Sequence, residues 1–263
     1  MDLHLTGKLA LVTGSSAGLG EATARMLAAE GADVVVHGRD EGRANAVAEA
    51  IREDGGHADV AIGDLATDTG ADAVAEAAGA VDILVNNAGT YAHSSWTDAT
   101  PRIWAETYET NVISGVRMIQ RLVPGMRERG WGRVIQIGGG LGLQPESVLP
   151  HYNATLAARH NLAVSLAREL KGSGVTSNIV SPGMILVDAV KKLLTESAPL
   201  RGWGETREEI EANAARDMVP NDVGRLGRPE EIAAAVAYLS SSLADYVSGA
   251  TIRVDGGTIR SVH

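Results

Sequence analysis

The chain has 263 residues, of which 44% are hydrophobic and 21% are charged, and its net charge is −10. This size and composition predict a single domain spanning residues 1–263, and the negative charge argues against binding to nucleic acid or to an anionic membrane. Cysteine is absent, which excludes disulfides, thiol nucleophiles and thiolate metal sites. No secretory leader or apolar membrane span is visible, so we expect a cytoplasmic protein.

Short apolar segments alternate with alanine-rich helical segments along the chain. Strands are predicted at 8–13, 33–37, 57–62, 81–85, 133–137, 176–180 and 251–254. Helices are predicted at 19–30, 41–53, 101–129, 152–170 and 230–240. Near-continuous apolar strands separated by helices are typical of a parallel sheet covered on both faces. We therefore predict an α/β fold, a single-domain Rossmann-type doubly wound parallel sheet of about seven strands.

Two connecting segments carry the first indications of function. The loop TGSSAGLG, residues 13–20, lies between the first strand and the first helix. Glycines let backbone amides approach a pyrophosphate, and the helix N-terminus favours its negative charge. The spacing GxxxGxG differs from the general fingerprint GxGxxG, and a plain turn is the alternative. The long segment 186–227 is predicted to be irregular and to form a lid over the substrate.

A series of motifs in this order resembles the short-chain dehydrogenase/reductase family. After TGSSAGLG come Asp64-Leu65, the segment NNAG at 86–89, Asn111, Pro182-Gly183, and the C-terminal segments 228–231 and 254–257. The resemblance implies a homo-oligomer, a tetramer or a dimer, that acts on a small molecule. It implies cofactor-binding roles for Gly14, Ser16, Gly18, Leu19, Gly20, Arg39, Asp64, Leu65, Asn87, Ala88, Gly89, Pro182, Gly183 and Ile185.

The end of the second strand, Val36-His37-Gly38-Arg39, indicates which cofactor is used. An acidic residue here would hold the 2′-hydroxyl of NAD, whereas a basic residue suits the 2′-phosphate of NADP. Gly38 stands where NAD-dependent relatives carry aspartate, and the guanidinium of Arg39 follows directly. We predict NADP(H), with a merely solvent-exposed Arg39 as the alternative.

The catalytic positions are only partly filled. The resemblance makes Tyr152 the acid or base and Asn111 its catalytic partner, but Gly139 stands at the family's serine and Leu156 at its lysine. Val187 replaces a threonine that contacts the nicotinamide in the family. Without a neighbouring cation, a tyrosine with a pKa of about 10 is ionised in roughly one molecule per thousand at pH 7. We therefore expect Tyr152 to act better as an acid in reduction than as a base in oxidation.

Several residues remain candidates for replacing the missing groups. Backbone amides of 138–140 could substitute in part for the serine hydroxyl, and Ser147 is the nearest serine. Arg159 and His160 follow Tyr152 on roughly the same helix face, at a rise of about 10.5 Å that is long for direct contact. Two histidines also flank the expected site: His151 is expected to face solvent, and His93 lies in the loop that borders the substrate in the family.

The favoured function is an NADP(H)-dependent oxidoreductase, a carbonyl reductase of a small organic substrate that uses Tyr152 as general acid without the usual lysine. One alternative is a non-redox enzyme on the same scaffold, a dehydratase, isomerase or cyclase. The other is a catalytically silent nucleotide-binding member of the family. No ligand cluster in the sequence predicts a metal site.

Overall fold

The computed structural model describes residues 2–91 and 94–261. Their strands form one fully parallel sheet in the order β3-β2-β1-β4-β5-β6-β7, which confirms the predicted Rossmann-type single domain. The order of the strands reverses between β1 and β4, and sheets of this kind bind ligands in the crevice at the carboxyl ends of the strands at that point. The strands are β1 Leu9–Val12, β2 Asp33–Gly38, β3 His57–Ile62, β4 Ile83–Asn86, β5 Gly132–Ile137, β6 Val175–Pro182 and β7 Thr251–Val254.

Helices cover both faces of the sheet. They are α1 Gly18–Ala29, α2 Glu41–Glu53, α3 Asp68–Ala78, α4 Pro101–Tyr108, α5 Ser114–Arg129, α6 Pro150–Glu169, α7 Asp188–Arg201, α8 Arg207–Met218 and α9 Pro229–Ser240. Successive strand residues point to opposite faces, so Val12 and Val36 pack on the side of α1 and α9, while Leu11 and Val35 pack on the side of α3 and α5. None of the helices in the described part of the chain is long and apolar enough to cross a membrane.

The sequence pattern does not predict α3, and the structure shows why. Gly70 lies in its first turn and lowers helix propensity. A Cβ at this position would lie 2.2 Å from the carbonyl oxygen of Asp64, so glycine is required by the close approach of the preceding loop. The side chain of Thr67 caps the helix by accepting a hydrogen bond from the Gly70 amide at 3.0 Å.

The prediction that 186–227 is irregular is wrong, because this segment contains α7 and α8. A capping box of Thr206 and Glu209 begins α8. Both helices pack around Trp203, which is buried and donates from Nε1 to Asp217 Oδ2 at 2.9 Å. Pro199 lies inside α7 and, with the high density of charge, conceals the helical pattern in the sequence.

The predicted helix 101–129 is interrupted by a π-helical turn, Glu109–Ile113, between α4 and α5. Such turns are rare and are frequent at functional sites. Here the turn contains Asn111, whose side chain and backbone carbonyl both face α6.

Candidate active site

The glycine loop is bound tightly to the loop that follows β4. Thr13 Oγ1 accepts hydrogen bonds from the amides of Asn87 and Ala88, both at 3.0 Å. Asn87 Nδ2 donates to the carbonyls of Thr13 at 2.9 Å and Gly14 at 3.2 Å. Gly14 has a φ of 66°, and a Cβ there would lie 2.9 Å from Ala88 Cα, so both conformation and proximity require glycine.

A buried histidine that the sequence analysis missed, His37, forms a hydrogen bond with the glycine loop. The Gly14 amide donates to His37 Nδ1 at 2.8 Å, and His37 Nε2 lies 3.1 Å from the Gly63 carbonyl. These partners require the neutral tautomer that carries its proton on Nε2. Burial lowers the pKa of His37, which favours this neutral form. The sequence signal for this role is a polar residue at the end of the otherwise apolar strand β2.

The first turn of α1 is open to an anion. Ala17 occupies the N-cap position and provides no side-chain cap for the helix. A Cβ at Gly20 would lie 2.4 Å from the Gly14 carbonyl oxygen, so only glycine fits at this position. A Cβ at Gly18 would lie 3.7 Å from Val187 Cγ1, which brings the start of α7 over the loop.

Arg39, which is predicted to select the cofactor, and Asp64, a predicted cofactor-binding residue, lie side by side beyond the ends of β2 and β3. The Arg39 side chain is 75% exposed, and its Nη1 is 4.0 Å from Asp64 Oδ2. A Cβ at Gly38 would lie 2.8 Å from Ser16 Oγ, so Ser16 occupies the space that a larger residue at 38 would need. Leu65, the neighbour of Asp64, is buried in the core.

The predicted residues after β6 form the entrance to α7. The Gly183 amide donates to the Val254 carbonyl at 3.1 Å, which ties the Pro182-Gly183 turn to β7. Ile185 is buried and forms an isolated parallel bridge with Gly227. This bridge fixes both ends of the segment that contains α7 and α8.

The side chain of Asn111 connects the loop after β4 to α6. Its Oδ1 accepts from the Thr90 amide at 2.7 Å, and its Nδ2 donates to the Thr90 carbonyl at 2.9 Å and to Thr155 Oγ1 at 3.1 Å. Thr155 was not predicted as a site residue, although it lies one helical turn after Tyr152 and donates back to the Tyr152 carbonyl at 2.7 Å. The hydrogen bonds of the Asn111 side chain therefore go to Thr90 and Thr155.

Tyr152 lies near the start of α6 and is mostly buried. Its ring is tilted against the ring of Tyr91, with 6.0 Å between the centroids. Burial raises the pKa of Tyr152, and the positive charge of Arg159 offsets part of this rise. The phenol is therefore protonated at neutral pH.

The positions of the missing serine and lysine are in contact. Leu156 is buried, and a Cβ at Gly139 would lie 3.0 Å from Leu156 Cδ1. The amide of Gly138 donates to the Val180 carbonyl at 2.8 Å and is unavailable to a ligand. Of the three amides considered as a replacement for the serine, those of Gly139 and Gly140 remain.

Arg159 is buried inside the subunit beneath these loops. Its Nε donates to the Asn111 carbonyl and its Nη1 to the Ile137 carbonyl, both at 2.5 Å, and its Nη2 donates to the Ala88 carbonyl. Burial lowers the pKa of Arg159 to about 10, so the guanidinium remains charged at neutral pH.

The remaining candidates have other surroundings. The expectation that His151 faces solvent is wrong, because it is fully buried and packs edge-on against Trp104 at 6.2 Å. His160 is buried with Nδ1 3.4 Å from Thr251 Oγ1, and burial lowers its pKa. Ser147 is exposed on the loop before α6. His93 lies outside the described residues.

Comparison with known proteins matches this architecture. The family model for short chain dehydrogenases matches residues 8–198. The uncharacterized oxidoreductase YvaG of Bacillus subtilis (strain 168) is 39% identical over 267 residues, which cover 100% of both chains. L-sorbose reductase from Gluconobacter frateurii, solved with NADPH and L-sorbose, has a TM-score of 0.93 at 34% identity, with 100% of both chains covered. The 3-oxoacyl (acyl-carrier-protein) reductase of Agrobacterium tumefaciens C58, solved with NADP, has a TM-score of 0.88 at 37% identity, with 97% of this chain and 96% of that one covered. The chain belongs to the short-chain dehydrogenase family, as its motifs predicted.

Proposed function

We propose that this protein is an NADP(H)-dependent reductase of a small carbonyl compound, with Tyr152 as the proton donor. The observation that carries the proposal is a mostly buried phenol, held protonated by its surroundings, beside the loops that resemble the family's cofactor site. Reduction of a carbonyl needs a proton at its oxygen, and a phenol kept in the acid form supplies it.

The glycine loop suits a dinucleotide. Its crowded glycines and the uncapped first turn of α1 leave a cradle of backbone amides where a pyrophosphate would bind. Arg39 and Ser16 would hold the 2′-phosphate, since an exposed guanidinium and a hydroxyl stand together at the end of β2. NADPH supplies the hydride for such a reduction when it is bound.

The residues of this chain then have distinct tasks. Tyr152 donates its proton to the substrate oxygen. Asn111 holds the loop after β4 against α6 through its hydrogen bonds to Thr90 and Thr155. The amides of Gly139 and Gly140 are the donors that could polarise the carbonyl in place of a serine hydroxyl. The segment 186–227, through Val187, would close over the nicotinamide end of the site as a lid.

The class of substrate is supported by similarity. The sorbose reductase was crystallised with a keto sugar, and the 3-oxoacyl reductase is named for a ketone on an acyl chain. Both relatives bind NADPH or NADP in their crystals. We therefore propose a ketone as the reacting group.

The test is NADPH oxidation with a panel of ketoses, simple ketones and 3-oxoacyl thioesters, each analysed for product as well. We expect alcohol product in step with NADPH loss, and abolition by Tyr152→Phe while NADPH binding is retained. Product without NADPH consumption would instead identify a dehydratase, isomerase or cyclase. NADPH binding without any turnover across the panel would favour a silent nucleotide-binding protein.

We also propose that the protein forms a homo-oligomer, a tetramer or a dimer. Tyr238, Leu243 and Tyr246 are exposed apolar residues at the end of α9 and just after it, and Tyr246 is fully exposed in the single chain. Light scattering on the purified protein tests the assembly, and a monomer at micromolar concentration would contradict it.

A further inference from the structure

We propose that Arg159 provides the positive charge that stabilises the Tyr152 phenolate, from a position along α6 that replaces the absent lysine. This inference rests on the proposed reductase function for its chemical meaning. Arg159 would be an electrostatic and positioning residue, since nothing requires it to touch the substrate.

The guanidinium is fixed by three separate parts of the fold. The carbonyls that accept its hydrogen bonds belong to Asn111 in the π-helical turn, Ile137 at the end of β5 and Ala88 after β4. Its Nη2 lies 3.4 Å from where a Cβ at Gly89 would stand, so the charge reaches the loop that borders the candidate site. A rigid fork held at three points cannot swing away to solvent.

The positions of Arg159 and Tyr152 on α6 bring the charge toward the phenol. Tyr152 lies two turns before Arg159 on the same face of the helix. Both side chains contact the loop after β4, Arg159 through the Ala88 carbonyl and Tyr152 through the ring of Tyr91. Leu156, one turn before Arg159 on the same helix, is buried, and Arg159 is buried as well. The charge of Arg159 therefore acts from a poorly screening interior.

Arg159 also lacks the usual reason for burial of a cation. Within residues 2–91 and 94–261, no carboxylate forms an ion pair with it. Desolvation of an unpaired cation is costly, and carbonyl dipoles offset only part of that cost. A transient negative charge on Tyr152 is the partner that this arrangement suits.

The other titratable groups in contact with Tyr152 or its neighbours, among the described residues, are two tyrosines and His151. Tyr91, in the loop after β4, packs on its ring and disfavours the phenolate. Tyr108 on α4 donates to the Ala154 carbonyl at 3.5 Å. His151 is turned toward Trp104.

The proton transfer balances with one proton taken from solvent in each turnover. The O–H bond of Tyr152 breaks as a new O–H bond forms on the substrate oxygen, and the hydride that reduces the carbonyl carbon would come from bound NADPH. Tyr152 is left as the phenolate and regains its proton from solvent. Arg159 keeps its own proton throughout.

The experiment measures the pKa of Tyr152 directly. The tyrosinate absorbance of the protein is titrated with pH, and the same titration of Tyr152→Phe is subtracted. This is repeated in the Arg159→Gln background, which removes the charge and keeps a hydrogen-bond donor. In the wild type, Arg159 and Tyr152 lose their protons over overlapping pH ranges, because burial lowers the pKa of Arg159 to about 10 and raises the pKa of Tyr152. Removal of the charge should therefore move the tyrosinate step of Tyr152 to higher pH in Arg159→Gln, by about one unit or more. An unchanged pKa would overturn the proposal and leave Arg159 a purely structural clamp.

Two further variants separate charge from structure. Arg159→Lys keeps the charge but loses the fork, so we expect a Tyr152 pKa within about one unit of the wild type. Leu156→Lys combined with Arg159→Gln returns a cation to the family position and should restore the lower pKa. If Arg159→Gln fails to fold, Arg159→Lys tests the charge effect instead. A Tyr152 pKa that rises by more than one unit in Arg159→Lys would refute the charge effect.

These titrations use no substrate, so they separate the inference from the proposed function. A shifted pKa in a protein that reduces no carbonyl would overturn only the reductase. Turnover with an unshifted pKa would overturn only the role of Arg159. For an active enzyme, we also expect kcat to fall more than tenfold in Arg159→Gln and to recover partly in the double variant.

Discussion

Replacing Arg39 with alanine tests how the protein would distinguish NADPH from NADH. Arg39 is 75% exposed and its Asp64 neighbour is 4.0 Å away, so its guanidinium is free to meet a phosphate. A hydrogen bond to a charged group contributes about 1.5–3 kcal/mol, and the exposure of Arg39 indicates the lower end. A loss of about 1.5 kcal/mol weakens NADPH binding roughly tenfold. NADH has no 2′-phosphate, so its Kd should stay unchanged.

Gly38→Asp should have a larger effect in the same direction. The new Cβ would lie 2.8 Å from Ser16 Oγ and 2.9 Å from Ser16 Cβ, so Ser16 must move. The new carboxylate would also repel a 2′-phosphate while accepting a hydrogen bond from a ribose hydroxyl. We expect NADPH binding to weaken by about 100-fold, equivalent to about 3 kcal/mol, and NADH binding to strengthen.

Isothermal titration calorimetry with each cofactor is the assay for both variants. Arg43→Ala is the matched control, because Arg43 is an exposed arginine in the first turn of α2. It should leave both Kd values unchanged. Equal weakening of NADPH and NADH by Arg39→Ala, or no weakening of either, would refute the assignment of Arg39 to the 2′-phosphate.

Three further predictions concern the catalytic loops and the base of the glycine loop. Gly139→Ser should leave kcat unchanged or raise it. The variant should lose about 1–3 kcal/mol of stability, because the new Cβ would lie 3.0 Å from Leu156 Cδ1. A large loss of kcat with normal folding would show that the backbone here binds substrate. Leu156→Lys alone should destabilise by about 3–5 kcal/mol, measured by urea unfolding, because it buries a second cation near Arg159; an unchanged unfolding midpoint would contradict this. His37 has a lowered folded pKa, so the unfolded chain binds its proton first, and stability should fall as pH drops below 6.5. His37→Gln should flatten that part of the stability curve, and an equally steep curve in the variant would exclude His37 as its cause.

The sheet and the glycine loop were predictable because their signals are local. Strand periodicity, and glycines at a strand-to-helix turn, depend on neighbours in sequence, and the structure places them as expected. The helices α7 and α8 were not predictable, because Pro199 and the high density of charge conceal their helical periodicity. The apolar faces of both helices are evident only in the structure, where they pack around Trp203. The burial of His151 depends on Trp104 in another helix, a contact that no sequence window contains.

The environment of Arg159 was hidden for the same reason. Its three carbonyl partners lie 22, 48 and 71 residues away in the chain, and they meet only because β4, β5 and the π-helical turn end at one edge of the sheet. From sequence, the rise along α6 made Arg159 a weak substitute for a lysine. In the fold, the long side chain of Arg159 reaches the three carbonyls at that edge. The rise along α6 therefore does not by itself fix the position of the positive charge.

The departures at 139, 156 and 159 are physically coupled. A serine at 139 needs the space now taken by Leu156 Cδ1, and a lysine at 156 would lie near the buried charge of Arg159. Residues in contact show non-additive effects of about 0.5–3 kcal/mol in mutant cycles. We therefore expect Gly139→Ser/Leu156→Lys/Arg159→Gln to be more stable and more active than the sum of its single variants. Strictly additive free energies of unfolding across that cycle would mean that the three positions changed independently.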